Sequence, residues 1–155
     1  MLRPSLAGQA VAAAPMPAAA STVPAQTEGV IIGFDFGERR IGVAIANTVT
    51  QQARALATLD AAERAARWAA IAALVDEWRP LAFVVGIPRH PDGTPHQMTE
   101  RCERFARQLE GRFGRAVARV DERYSSAVIA PGSDVDAGAA AIILQQWLDE
   151  TDRDA

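Results

Sequence analysis

The sequence predicts an α/β protein with a mixed five-stranded sheet and helices on both faces. Three observations support this prediction. Two apolar runs, at residues 30–34 and 41–46, flank a glycine turn; a later run at residues 81–87 is apolar throughout; and three segments with helical periodicity are separated by strands. A continuous apolar run is typical of a strand that is covered on both faces.

The first three predicted strands form an antiparallel meander. Strand one covers residues 30–34, strand two covers 41–46 and strand three covers 54–59. Gly37 lies in the turn between the first two, where a residue without a side chain is favoured. Short apolar runs separated by such turns are typical of hairpins.

A helix is predicted over residues 61–78, and Pro80 ends it. Its apolar residues recur at spacings of three and four, which defines one buried stripe; they are Trp68, Ile71, Leu74, Val75 and Trp78. Strand four follows at residues 81–87. A loop rich in proline then leads to a second helix, residues 98–113, whose stripe is Cys102, Phe105, Leu109 and Phe113.

Strand five is predicted at residues 116–120, and a last helix at about 135–149. The stripe of this helix is Ala140, Ile143, Leu144, Trp147 and Leu148. Long crossovers join strands one, four and five, so these three strands should be parallel to one another. The connections place helices on both faces of the sheet.

The composition restricts the function classes. A net charge of −3 at pH 7 argues against a protein that binds nucleic acid by charge alone, although carboxylates gathered for catalysis also lower the charge. The single cysteine, Cys102, excludes an internal disulfide and a cysteine-based metal site, and it fits a reducing cytoplasm. No stretch reaches the roughly 18 apolar residues of a membrane span, so we expect no membrane association.

Residues 1–28 are rich in Ala and Pro without a period, and we expect a disordered tail there. Pro15 and Pro17 interrupt the segment that a secretory signal would need, so we do not expect a signal peptide. The folded unit begins at Gly29. Its length suits one domain with a real core.

Three carboxylates are candidates for a functional site. Asp35 follows strand one and Glu122 follows strand five, so both should reach the same edge of the sheet, where ligand sites in open α/β sheets lie. Asp136 lies in the first turn of the last helix, four residues before Ala140 and seven before Ile143, on the side that faces the sheet.

Three carboxylates in a small volume cannot all stay ionised without cations. Oxygen ligands suit Mg²⁺ or Mn²⁺ rather than Zn²⁺. Two such ions about 3.5–4 Å apart can activate water and stabilise the leaving oxygen of a phosphodiester. The pattern therefore favours a metal-dependent nuclease.

Each carboxylate also has a simpler interpretation. Asp35 could only form a turn before Gly37. Glu122 could be half of a surface ion pair with Arg123. Asp136 could only complement the helix N-terminus.

Four ordered blocks of sequence strengthen the site hypothesis. They are Asp35-Phe-Gly37 with Arg40-Ile-Gly-Val-Ala44; Val85-Gly-Ile-Pro88 with Asp92-Gly-Thr94; Asp121-Glu-Arg123; and Asp136 before Ala139-Ala140 and Ile142-Ile-Leu-Gln145. Together they closely resemble the YqgF family of RuvX-like proteins, which are described as Holliday junction resolvases and as pre-16S rRNA nucleases. The resemblance covers residues 29 to about 149.

The resemblance implies an RNase H-like nuclease domain at residues 29–150, dependent on Mg²⁺ or Mn²⁺. It implies that Asp35, Glu122 and Asp136 are the catalytic acids and metal ligands. The implied role is processing of the 5′ end of pre-16S rRNA in ribosome biogenesis, with structured RNA as the substrate.

The chain departs from the family pattern at three places. Related nucleases usually have an acid at the end of strand four, where this chain has Gly86-Ile87-Pro88, so Glu122 must compensate from the neighbouring strand. Tyr124-Ser125 stands where the family commonly has Leu-Thr. The segment between Glu122 and Asp136 is short and leaves no room for a helix.

Basic residues flank the proposed site. We predict that Arg39, Arg40, Arg89 and Arg123 bind substrate phosphates, although ordinary solvated arginines are the alternative. Arg101, Arg104 and Arg107 alternate with Glu100, Glu103 and Glu110 on the second helix, which indicates a solvated face. His90 and His96 lack metal-ligand spacing, and we expect no catalytic role for them.

Three alternatives stay open. The same chemistry could act on a four-way DNA junction, which requires two active sites and therefore a homodimer rather than a monomer. An Asp-x-Gly hairpin also opens the actin-like ATPases, but about 120 folded residues cannot supply their two large domains. A non-catalytic nucleic-acid-binding module is the last alternative.

Overall fold

The computed structural model describes residues 28–123 and 136–154. The predicted disordered tail, apart from Glu28, and the short segment at residues 124–135 lie outside these ranges. The described elements, in chain order, are β1 (Val30–Phe36), β2 (Arg40–Asn47), β3 (Gln52–Asp60), α1 (Arg64–Trp78), β4 (Ala82–Arg89), α2 (Thr99–Phe113), β5 (Ala116–Arg123) and α3 (Asp136–Asp154).

The five strands form one mixed sheet in the order β3-β2-β1-β4-β5. β1 pairs antiparallel with β2, and β2 pairs antiparallel with β3. β4 lies parallel to β1 on one side and to β5 on the other. The predicted antiparallel meander and the predicted parallel set of strands one, four and five are confirmed.

Three strands, β1, β4 and β5, run further than predicted at the edge where the acids lie. β1 continues to Phe36 because Asp35 and Phe36 still pair with the returning β2, opposite Gly42 and Ile41. β5 continues to Arg123 because β4 extends beside it. Asp35 and Glu122 therefore lie within the last residues of strands rather than after them, and strand alternation decides which way each side chain points.

The helix boundaries also differ slightly from the predictions. α1 begins at Arg64 rather than at residue 61, because the Glu63 carboxylate caps the helix by accepting a hydrogen bond from the backbone N–H of Ala66 at 2.8 Å. α3 continues to Asp154, beyond the predicted end at residue 149.

The sheet separates two apolar cores. On one face, Ile32, Phe34, Phe83 and Val85 pack against the buried residues of α1 and α2. On the other face, the buried residues of β1, β4 and β5 pack against α3. The helical stripes predicted from periodicity are the ones that face these cores, with Leu74, Trp78, Phe113 and Trp147 only partly buried.

Gln145 fixes α3 to the edge of the sheet. Its Oε1 accepts a hydrogen bond from the Ala53 N–H at 2.9 Å, and its Nε2 donates to the Gln51 carbonyl at 3.1 Å. These bonds satisfy backbone groups at the start of the edge strand β3. Within the described residues, no helix combines the length and the apolar character that crossing a membrane requires.

Candidate active site at the carboxyl ends of the parallel strands

Strand alternation directs Asp35 toward α3. In β1, Phe34 belongs to the core under α1 and α2, whereas Ile31 belongs to the core under α3. Gly33 and Asp35 share the face of Ile31. A β-carbon on Gly33 would lie 2.9 Å from Cβ of Leu144, so α3 sits directly on this face. Asp35 is the next residue on the face, beyond the close contact, and it is half-buried.

Glu122 points to the same face from β5. Val120, two residues earlier, packs in the core under α3. Asp121 points to the opposite face, where its carboxylate lies 3.8 Å from Nε of Arg89. Of these two neighbouring acids, Asp121 thus forms a surface ion pair and Glu122 turns toward Asp35.

Gly86 of β4 lies between the two acids. A β-carbon on Gly86 would lie 2.6 Å from Cδ1 of Ile143 and 3.4 Å from Cγ of Glu122. The missing side chain therefore leaves a notch, which Cδ1 of Ile143 fills, and the stem of Glu122 lies beside it at ordinary contact distance. β4 carries no acid at this position, and Glu122 of the neighbouring strand β5 lies beside it, as the sequence led us to expect.

Both carboxylates line one cavity of about 90 Å³ at the carboxyl ends of β1, β4 and β5. The rest of its wall comes from β1, β4, α2 with the residue before it, and α3, and it is largely apolar. It consists of Phe36, Gly86, Pro88, Met98, Cys102, Ala139, Ile142 and Ile143. Ile142 is 55% exposed, so it forms the outer lip. The cavity combines two acids with a mostly apolar wall, as binding sites commonly do.

The electrostatics of the cavity disfavour two free negative charges. Burial, and next the negative charge of Asp35, raise the pKa of Glu122 to about 7. Glu122 Oε2 is buried and has no hydrogen-bond partner among the described residues. A buried carboxylate oxygen without a partner is costly, and a proton or a cation would remove that cost.

Cys102 lies against the same cavity from α2. Burial raises the pKa of its thiol to about 12, and the charges of Asp35 and Glu103 add to the effect. The thiol therefore stays protonated, which fits the prediction that Cys102 is a small core residue. Its position in the cavity wall could not be predicted from its helical stripe alone.

Asp136 is the first residue of α3, and its side chain lies outside what the structure describes. Ala139, three residues on, lines the cavity, so the helix begins close to the two other acids. The described side chains contain no group of three His, Cys, Asp or Glu placed to hold a metal ion. The role of Asp136 stays a prediction.

The arginines predicted to bind substrate lie around the site rather than in its wall. Arg39 and Arg40 are exposed at the turn between β1 and β2, and Arg89 is half-buried beside Asp121. The side chain of Arg123 lies outside the described residues. Their role in substrate binding stays a prediction.

The two histidines lie in the loop before α2. The backbone N–H of Met98 donates to Nδ1 of His96 at 3.0 Å, and the buried Thr99 hydroxyl donates to the Pro88 carbonyl. His96 thus organises the start of α2. That neither histidine takes part in catalysis stays a prediction.

A family model described as "RuvX: Holliday junction resolvase" matches residues 29–150 of the chain. A protein of Burkholderia ambifaria (strain MC40-6), named "Putative pre-16S rRNA nuclease", is 49% identical over 135 residues, which cover 79% of this chain and 91% of the relative. A protein of the same name from Paraburkholderia phymatum is 48% identical over 130 residues, covering 79% and 86%.

The fold also resembles a solved structure. RuvC of Thermus thermophilus, in complex with a Holliday junction substrate, superposes with a TM-score of 0.53 at 16% identity, covering 79% of this chain and 95% of that one. At this identity the likeness concerns the fold alone. It confirms the RNase H-like fold that the sequence motifs implied.

Proposed function

The chain belongs to the RuvX family, and on that premise we propose that it is a nuclease that hydrolyses phosphodiester bonds in structured RNA. Its proposed role is processing of the 5′ end of pre-16S rRNA, in keeping with the names of its relatives in Burkholderia and Paraburkholderia. The observation that supports this most is the meeting of Asp35 and Glu122 in one cavity.

Asp35, Glu122 and Asp136 are the proposed catalytic acids. Asp35 and Glu122 reach the cavity from β1 and β5, and the backbone of Asp136 begins the helix whose Ala139 lines it. Three elements that are distant in sequence thus converge on one edge of the sheet. Placing acids together in a half-buried cavity costs free energy, so a shared function explains the arrangement better than chance does.

The residues present fit a divalent cation. A cation would offset the repulsion between the carboxylates of Asp35 and Glu122. It would also give the buried Oε2 of Glu122 a partner, which this atom lacks among the described residues. Carboxylate oxygens suit Mg²⁺ or Mn²⁺. Asp35, Glu122 and Asp136 would hold the ion, which when bound supplies activation of water and stabilisation of charge on the leaving oxygen.

The remaining wall positions the substrate and limits the access of water. Met98, Ile142 and Ile143 give the acids an apolar surrounding, in which electrostatic interactions are stronger than in bulk water. Asp35 and Glu122 face the open rim, where the reacting phosphodiester group would lie.

Substitution of the acids tests the proposal. We expect Asp35→Asn and Glu122→Gln to lower the cleavage rate of a pre-16S rRNA fragment in Mg²⁺ by at least about 10²–10³-fold, the range found when one charge-stabilising group is removed. Asp121→Asn is the matched control, because Asp121 faces away from the cavity toward Arg89. Full cleavage by Asp35→Asn would refute the proposal.

A four-way DNA junction is the second candidate substrate, favoured by the description of the family. Cleavage of a synthetic junction and of the RNA fragment, measured side by side with one enzyme preparation, separates the two. Cleavage of both strands at a junction also requires two active sites, so the mass of the protein in solution is measured with it. If neither substrate is cut, a non-catalytic binding module is the remaining interpretation.

A further inference from the structure

A second cavity, of about 290 Å³, lies on the other side of Phe36 from the acids. Arg64 and Arg67 line it from α1, and Arg101 and Arg104 line it from α2. Glu38 is the one carboxylate among the described residues of its wall. We call this cavity the arginine groove. Four guanidinium groups against one carboxylate give it a positive charge, in a protein whose net charge is −3.

The groove has more positive charge than its own partners neutralise. Arg101 forms an ion pair with Glu38. Arg67 donates two hydrogen bonds to the Ala61 carbonyl, at 3.2 and 2.8 Å, and neither bond removes its charge. Arg64 and Arg104 are exposed, and neither makes a hydrogen bond or an ion pair with a described residue.

The arginines are also held close together. The guanidinium of Arg67 lies over the ring of Phe36, 5.4 Å from its centre, and the ring of Phe36 packs on Phe105 at 4.7 Å. Partial burial and the like charge of Arg64 lower the pKa of Arg67. Like charges held at close range favour an anionic ligand with several oxygens, and guanidinium groups bind phosphate in a bidentate manner.

Phe36 connects the groove to the candidate active site. It lines both cavities, and it follows Asp35 directly in β1. A nucleic-acid strand that presents one phosphodiester to the acids can thus continue past Phe36 into a positively charged groove. A small anion would not need this continuity.

We propose that the arginine groove binds the backbone phosphates of the nucleic-acid strand next to the reacting bond, with Arg64 and Arg104 as the principal contacts. This inference rests on the proposed nuclease function. It gives a binding role to Arg104, which the sequence pattern assigned to a solvated face, and to Arg64, whose charge the sequence did not connect with the site.

Equilibrium binding tests the inference without requiring cleavage. Fluorescence anisotropy measures the affinity of the full chain for two labelled RNAs, a single strand and the same strand extended from a duplex. The measurements are made in EDTA at several salt concentrations. We expect Arg64→Gln/Arg104→Gln to raise Kd about tenfold or more. The slope of log Kd against log salt should fall by about 1.4, which is about 0.7 for each phosphate that the variant no longer neutralises.

Arg54→Gln/Arg79→Gln is the matched control. It removes the same amount of charge from exposed arginines that line neither the acid cavity nor the groove. Arg64→Lys/Arg104→Lys keeps the charge and should restore most of the salt slope, with thermal unfolding used to check that each variant folds. An equal decrease in affinity in the groove variant and the control, or no decrease in either, would overturn the inference.

Parallel cleavage assays in Mg²⁺ separate this inference from the function itself. If the RNA is cut and the groove variant binds normally, the proposed binding role of the groove is wrong and the nuclease function is supported. If binding falls as expected but the unsubstituted chain cuts nothing, the groove binds nucleic acid and the nuclease function is wrong.

Discussion

Cδ1 of Ile143 occupies the space that a β-carbon on Gly86 would otherwise take. A β-carbon at Gly86 would lie 3.4 Å from Cγ of Glu122 and 2.6 Å from Cδ1 of Ile143. Glycine on β4, which lies between β1 and β5, leaves this space to Ile143. Asp35 and Glu122 reach the cavity from the strands on either side of β4.

This relationship predicts a specific effect of Gly86→Ala. The added methyl group must displace Cδ1 of Ile143, and we expect a loss of about 1–3 kcal/mol in the free energy of unfolding, typical of an overpacked core. Ile143→Val removes that Cδ1. The double variant should recover much of the loss, which urea unfolding of all four proteins in a double-mutant cycle measures.

Gly111→Ala is the control for the glycine itself. A β-carbon at Gly111 would meet nothing within 4 Å, and the residue lies inside α2. We expect this variant to gain about 0.5–1 kcal/mol, because alanine loses less conformational freedom in a helix than glycine does. Equal effects at Gly86 and Gly111 would show that the notch has no importance for packing.

The raised pKa of Glu122 predicts that the stability of the protein depends on pH. Its pKa is about 7 in the folded protein and 4.5 as an ordinary glutamate, so between these values the folded state binds more protons than the unfolded chain. Stability from this group is therefore present below pH 4.5 and is lost as the pH rises toward 7. Above 7 the loss is complete.

Glu122→Gln removes this titration. The Tm of the variant, measured without divalent ions, should match that of the unsubstituted protein near pH 4.5 and exceed it by a few degrees above pH 7. Asp121→Asn should show a far smaller divergence, because Asp121 lies on the opposite face beside Arg89 and its charge makes the smallest contribution to the raised pKa of Glu122. Parallel Tm curves for Glu122→Gln and the unsubstituted protein would contradict the assigned environment.

Divalent cations should offset the loss of stability that ionised Glu122 causes. Saturating Mg²⁺ or Mn²⁺ should raise the Tm of the unsubstituted protein by a few degrees above pH 7, since a ligand that binds only the folded state stabilises it. EDTA should remove the shift. The effect should weaken below pH 7, where a proton competes for Glu122.

Two variants and a control make the metal prediction specific. Asp35→Asn and Glu122→Gln should lose the cation-induced shift, whereas Asp121→Asn should keep it. A shift of equal size in all three variants would point to binding elsewhere on the acidic surface.

The sequence predicted the fold well because periodicity depends on which residues face a core. The apolar stripes of the three helices and the continuous apolar run of β4 contain the residues that are buried in the two cores. The ends of β1 and β5 were placed too early, because the last residues of a strand are kept in it by a partner strand. The pairing of Asp35 with Gly42 is not visible in a local pattern.

The site was predictable in part for the same reason. An acid at the end of an apolar run identified both Asp35 and Glu122 as candidates, and the family motifs supported the same two residues. The notch at Gly86 depends on Ile143, which belongs to a helix much later in the chain. The arginine groove was missed because Arg64 and Arg104 lie on different helices, and only the packing of α1 beside α2 brings them together.

Gln145 supports a last prediction, about the edge of the sheet. Its amide satisfies the N–H of Ala53 and the carbonyl of Gln51, and it also donates to Asp149 at 3.1 Å. Gln145→Leu removes the partner of the partly buried Ala53 N–H, whereas water can replace the exposed bond to the Gln51 carbonyl. We therefore expect a loss of about 1–3 kcal/mol in the free energy of unfolding. Amide hydrogen exchange at Ala53 should become faster, because β3 is an edge strand that α3 no longer holds.

Gln146→Leu is the matched control on the same helix. Among the described residues its amide donates to Glu150 alone, at 3.3 Å on the exposed surface. The change in stability should therefore stay within about 0.5 kcal/mol. A similar loss in both variants would mean that helix propensity or surface apolarity causes the effect. A loss confined to Gln145 would show that one side chain couples α3, which carries Ile143 and the proposed ligand Asp136, to the far edge of the sheet.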